Sequence, residues 1–182
     1  MSIESKVSGD RLAAACKIAG AVVFLALCAK TKINMYPVPF TLQTFAVYFI
    51  GFQLSPRDAF IALLSYVSVG LLGIPVFSPA TAGFHAAMAM PTFGYIIGML
   101  FAAPLISFLR RKKINQFVAC VVGYAVVHTC GVLWLWKLFD AEMSIIFGFF
   151  PFVVVDFAKI SAAVALSAGH KAFRRFLLNK DK

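Results

Sequence analysis

Asp156 and Lys159 stand three residues apart inside a long apolar stretch that runs from Pro151 toward a basic C-terminal tail. On a helix that spacing puts both on one face, where carboxylate and ammonium neutralise each other. Ionisable groups in so apolar a segment are costly, which makes them functional candidates by default. The carboxylate accepts from N–H donors and the ammonium donates to carbonyl oxygens or anions, so the pair suits a small polar solute carrying both kinds of group. A structural ion pair that pins this helix to its neighbours is the competing reading.

Other groups could complete such a site. Thr41, Gln43 and Thr44 follow the Tyr-Pro-Val-Pro break at Tyr36–Pro39; Gln43 can donate and accept, and could equally bond one helix to another. Tyr95 lies one turn into a later helix. Phe40, Phe77, Phe84 and Phe93 could supply apolar walls, although in a chain with 20 Phe ordinary packing is the commoner role. His85 reads as a loop histidine meeting solvent or headgroups. His128, beside Thr129 inside an apolar run, reads as a satisfied buried imidazole ahead of a proton relay. The sequence has no His-rich metal motif, glycine-rich phosphate loop or Gly-x-Ser-x-Gly elbow. No enzyme chemistry and no bound cofactor are therefore expected, and any ATP must be hydrolysed by separate subunits.

The elements that must position these residues are membrane spans. Of 182 residues 62% are hydrophobic and 13% charged, against roughly 45–50% and about 25% in soluble domains, and the mean hydropathy is +0.89. A water-soluble domain is excluded. A bilayer core of about 30 Å needs roughly 20 apolar residues per helix, and six runs qualify or come close: Leu12–Ala29, Thr41–Leu54, Ala59–Leu72, Thr92–Leu109, Ile114–Trp136, and Pro151 to about His170. Gly73, Pro75, Pro79, Gly83 and Pro91 cannot sit together in one helix, so they mark an apolar loop. Pro151 suits a first helical turn. The expected fold is an all-α integral membrane protein, a single six-helix domain over 1–182 with short basic tails at 1–11 and 171–182 and no cleaved signal.

The net charge of +10, from 17 Lys+Arg against 7 Asp+Glu, is interrupted by apolar runs. It therefore reads as topology and not as a nucleic-acid surface. Thirteen of the 17 fall on one side of the six-span arrangement, including the Arg110–Lys113 cluster; Lys30, Lys32 and Lys137 fall on the other, and Lys159 stays within. The positive-inside rule then places both termini in the cytoplasm of a multi-pass protein of the cytoplasmic (inner) membrane. Three connections face outward: Lys30–Phe40, Gly73–Met90 and Leu138–Phe150. Gly94, Gly98 and Ala102 form a close-packing stripe, while Ala15 and Ala19 form a second that could pack internally or dock a partner in the bilayer. Cys16, Cys28, Cys120 and Cys130 are expected as buried small hydrophobes.

Four strings, in order and in register, resemble one family. Pro37-Val-Pro-Phe-Thr-Leu-Gln-Thr44, Gly70-Leu-Leu-Gly-Ile-Pro-Val-Phe77, Pro91-Thr-Phe-Gly-Tyr95 and Asp156-Phe-Ala-Lys159 are similar to motifs of the BioY biotin transporters, the substrate-binding S components of energy-coupling-factor transporters. The resemblance implies six membrane helices that bind biotin from outside, a membrane coupling subunit and two ATPase subunits as partners, and Asp156, Lys159 and Tyr95 in the site. It also implies that Ala15 and Ala19 contact the coupling subunit. Met90 and Phe93 depart from the family's glycines, and Val154-Val155 from its common Pro-Gly. An S component for another vitamin or small heterocycle, a solitary transporter, and a ligand-free scaffold are the alternatives.

Overall fold

The computed structural model describes the backbone of residues 3–78 and 81–180, and side chains within 11–78 and 81–169. In chain order it comprises α1 (Ile3–Lys30), β1 (Lys32–Ile33), β2 (Phe40–Thr41), α2 (Gln43–Gln53), α3 (Pro56–Leu71), α4 (Phe84–Met88), α5 (Phe93–Arg111), α6 (Gln116–Leu135), α7 (Ala141–Gly148) and α8 (Phe150–Lys180).

Four helical stretches among the described residues are long and apolar enough to cross a membrane: Arg11–Lys30, Phe93–Arg111, Gln116–Leu135 and Ala141–Gly169. The other two expected spans are shorter. At about 1.5 Å per residue, α2 with 11 residues reaches roughly 16 Å and α3 with 16 residues roughly 24 Å. The reason for the first is local. Pro37 and Pro39 lack the N–H that a helix needs, the chain bends at Tyr36–Val38, and Lys32–Ile33 pairs antiparallel with Phe40–Thr41, so Thr41 belongs to a hairpin and the helix opens at Gln43. Ser55 then ends the short helix pair's turn by capping α3, its hydroxyl accepting from the Asp58 N–H at 3.1 Å with Pro56 in the first turn.

The two long connections carry short helices. Asp140 caps α7 by accepting from the Met143 N–H at 2.7 Å, and Pro151 falls in the first turn of α8 as its missing N–H favours. The 73–90 connection contains α4, reached through Gly83 at φ +88°, a left-handed conformation that favours glycine.

The bundle is apolar inside and out. Leu25, Leu63, Ile96, Ile106, Leu135 and Ile160 are fully buried, yet Val23, Leu27, Phe101, Leu133, Val154 and Leu166 are all more than half exposed. Such outward faces suit hydrocarbon and not water. α5 and α6 make the most extensive helix–helix contact; a Cβ on Gly98 would lie 2.7 Å from Val127 Cα, so the glycine stripe is an internal packing face. The Ser107 hydroxyl donates to Leu54 O at 2.7 Å, tying α5 to the α2–α3 turn. Ala15 and Ala19 are exposed on α1. Cys16 shares that outward face and Cys130 is half-buried, which corrects the expectation of four buried thiols; Cys28 and Cys120 are buried.

Candidate ligand-binding site

α8 carries Asp156, fully buried, and Lys159, 9% exposed. Their separation is 2.8 Å from Nζ to Oδ1. α2 supplies the third member: the Thr44 hydroxyl donates to Asp156 Oδ1 at 2.7 Å and accepts from Lys159 Nζ at 3.1 Å. Buried charge persists only when paired and hydrogen-bonded, and these three side chains satisfy one carboxylate oxygen twice over.

The second oxygen, Oδ2, faces α6, where His128 Nε2 stands 3.4 Å away. The other ring nitrogen, Nδ1, lies 3.1 Å from Tyr124 O. A carbonyl oxygen can only accept, so Nδ1 carries the proton. This corrects the reading of His128 as a satisfied imidazole, since one ring nitrogen is satisfied and the other is turned toward Asp156. Sequence gives no hint of it, because the facing carboxylate comes from a different helix.

These groups line a narrow, partly open cleft. Val38, Pro39, Thr41, Gln43 and Thr44 form one side; Thr92, Tyr95, Ile96 and Met99 form another; His128, Phe152, Asp156 and Lys159 complete it. Charged and amide groups thus converge among apolar walls, the usual composition of a small-molecule site.

Gln43 makes the interhelical bond considered for it and also lines the cleft. Its Nε2 donates to the Tyr66 hydroxyl at 2.9 Å, its Oε1 accepts from the Thr41 hydroxyl at 3.2 Å, and Tyr66 in turn donates to Val76 O at 3.0 Å. The amide is a cleft wall and the bolt between α2 and α3. Tyr95 is likewise committed: its hydroxyl donates to Gly148 O at 2.6 Å, clamping the α7–α8 junction. Its ring meets His128 edge-on at 5.6 Å. Gly131 leaves the room for it, since a Cβ there would lie 2.3 Å from the ring.

The phenylalanines divide. Phe40 packs on Phe152 at 4.7 Å and borders an adjoining groove that reaches Lys159 from the other side. Phe77 is fully buried against Tyr66, at 5.5 Å between ring centroids, and its ring fills the space over Gly70. Its ring stands outside the lining of the cleft. Phe93 packs on Trp134 and Phe84 is 56% exposed, so neither lines the cleft. Of the family-departing positions, Met90 O accepts from Trp134 Nε1 at 2.9 Å, and Val154 is 78% exposed on the far face of α8. Residues missed by sequence reasoning are Val38, Pro39, Thr92, Ile96, Met99 and Phe152. For two of them a signal existed: Phe152 is four residues before Asp156 and Met99 four after Tyr95, the spacing of one helix face.

The model of the BioY family matches residues 4–175. The chain belongs to the BioY family. It is 34% identical over 146 residues to a probable biotin transporter BioY of Pyrococcus horikoshii, covering 80% of this chain and 88% of that one. It is 36% identical over 149 residues to the biotin transporter BioY2 of Lactococcus lactis subsp. cremoris, covering 78% and 81%. In fold, this BioY-family chain resembles the crystal structure of the S-component for biotin from an ECF-type ABC transporter, with a TM-score of 0.79, 23% identity, and coverage of 94% and 95%. With four stretches able to cross a bilayer, this BioY-family member is a multi-pass membrane protein and a transporter rather than an enzyme.

Proposed function

We propose that this protein binds biotin from the external side of the cytoplasmic membrane and passes it inward as the S component of an energy-coupling-factor transporter. The observation that carries the reading is the buried Asp156–Thr44–Lys159 network lining a cleft, with His128 turned toward the same carboxylate. Biotin offers two ureido N–H donors, a ureido carbonyl and a carboxylate. Asp156 is suited to the N–H groups and Lys159 to the ureido oxygen or the carboxylate, while Ile96, Met99 and Phe152 provide apolar walls.

In this reading α1, α2, α3, α5, α6 and α8 are the six spans of a single domain, the two short ones among them, with both termini cytoplasmic. Arg57, Arg110, Arg111, Lys112 and Lys113 support that orientation by gathering at the helix ends away from the β1–β2 hairpin. The basic side chains of 1–10 and 170–182 lie outside the described residues. The exposed Ala15 and Ala19 support docking of a membrane coupling subunit on α1. Two ATPase subunits then supply ATP hydrolysis, and this chain itself holds no cofactor.

Calorimetric titration of the purified protein with biotin tests the site. Asp156→Asn and Lys159→Met should each weaken Kd by about 100-fold or more, equivalent to about 2.7 kcal/mol; unchanged affinity would falsify the assignment. Uptake measured in cells with and without the coupling and ATPase subunits tests the partners, and uptake that persists without them overturns that part.

A further inference from the structure

His128 Nε2 and Asp156 Oδ2 are two buried atoms that find no hydrogen-bond partner among the described residues, and they face each other across 3.4 Å. Among the side chains lining the cleft they are alone in this among the described residues. The Nδ1 proton is committed to Tyr124 O, so in the neutral ring Nε2 is a bare lone pair. Two lone pairs held together in a buried site repel. A single proton between them removes the repulsion, and so does an N–H donor brought by a ligand. Both cannot occupy the same gap.

We propose that His128 is a ligand-positioning residue whose Nε2 shares one proton with Asp156 Oδ2 in the unliganded protein and releases it to solvent when a ligand N–H enters the gap. The inference rests on the biotin reading above, which supplies a ligand with N–H donors. The other titratable groups around the His128–Asp156 pair are Tyr124 on the histidine's own helix, Tyr95 on α5 and Lys159 on α8, with Tyr48 of α2 and Cys120 of α6 on the carboxylate's side. Imidazole is the side chain whose ordinary chemistry exchanges a proton between pH 5 and 8, and here it faces a carboxylate oxygen across 3.4 Å. Thr44 and Lys159 fix Oδ1, which leaves Oδ2 as the oxygen that meets the ligand.

Binding of biotinamide, which retains the ureido group and lacks the carboxylate, tests this without interference from the ligand's own titration. For the wild-type protein Kd should rise by up to about tenfold per pH unit below the titration point of the pair. Calorimetry at about pH 6.5 in two buffers of different ionisation enthalpy should show net proton release on binding. In His128→Gln, biotinamide should bind more weakly at pH 8 and lose the pH slope. A flat wild-type profile, no proton release, or the same slope in His128→Gln overturns the inference while leaving biotin binding standing. Absence of biotinamide and biotin binding at every pH overturns the biotin reading and this inference with it.

Discussion

Thr44 and Asp156, 112 residues apart, are joined by a 2.7 Å hydrogen bond from the threonine hydroxyl to the carboxylate. The same hydroxyl oxygen accepts from Lys159 Nζ, so one small side chain on α2 sets where both charges of α8 point. A short helix positioned by a proline-rich hairpin thereby controls the electrostatics of a helix at the other end of the chain.

Thr44→Val keeps the shape and deletes the hydroxyl. Biotin Kd should weaken about tenfold, the equivalent of about 1.4 kcal/mol for one charge-assisted bond, and Thr44→Ser should restore most of it. Calorimetric titration of the three proteins decides; equal affinities would remove Thr44 from the site.

The charge pair should be coupled in stability as well as binding. Asp156→Asn or Lys159→Met alone leaves a buried charge without its partner, a loss of about 3–5 kcal/mol. The double variant should regain much of that stability while remaining unable to bind biotin. Thermal unfolding in detergent without ligand, followed by titration, reads both; a double variant as unstable as the summed singles would contradict the pairing.

Phe77 and Phe152 are both buried, at 0% and 6% exposure, but only Phe152 borders the cleft. Phe77→Leu should lower Tm by roughly 2–4 °C for each kcal/mol of packing lost and leave biotin affinity within about twofold. Phe152→Leu should weaken affinity. A large affinity loss in Phe77→Leu would return that ring to the site.

Ala15 and Ala19 are exposed on α1, far in function from the cleft they do not line. Ala19→Trp should leave biotin affinity unchanged and abolish co-purification with the coupling subunit, because a bulky ring prevents close approach of two helices. Intact co-purification of Ala15→Trp and Ala19→Trp would place the docking surface elsewhere.

Much of this protein was legible from residue types and spacing. Composition announced lipid as the solvent, Pro151 marked a helix start, and the i, i+3 spacing of Asp156 and Lys159 put two costly charges on one face. These are local properties, set by side-chain chemistry and by the 3.6-residue helical repeat. The partners of those charges were not legible. Thr44 and His128 reach Asp156 from α2 and α6, and nothing within a few residues of either one encodes that meeting. Phe77 sits in a string as suggestive as any other, yet the open space over Gly70 draws its ring into the packing against Tyr66 and away from the cleft. The sequence by itself determined the solvent, the family and the pair of charges. The tertiary structure decided which atoms complete that pair, because the remaining partners come from separate helices that only packing brings together.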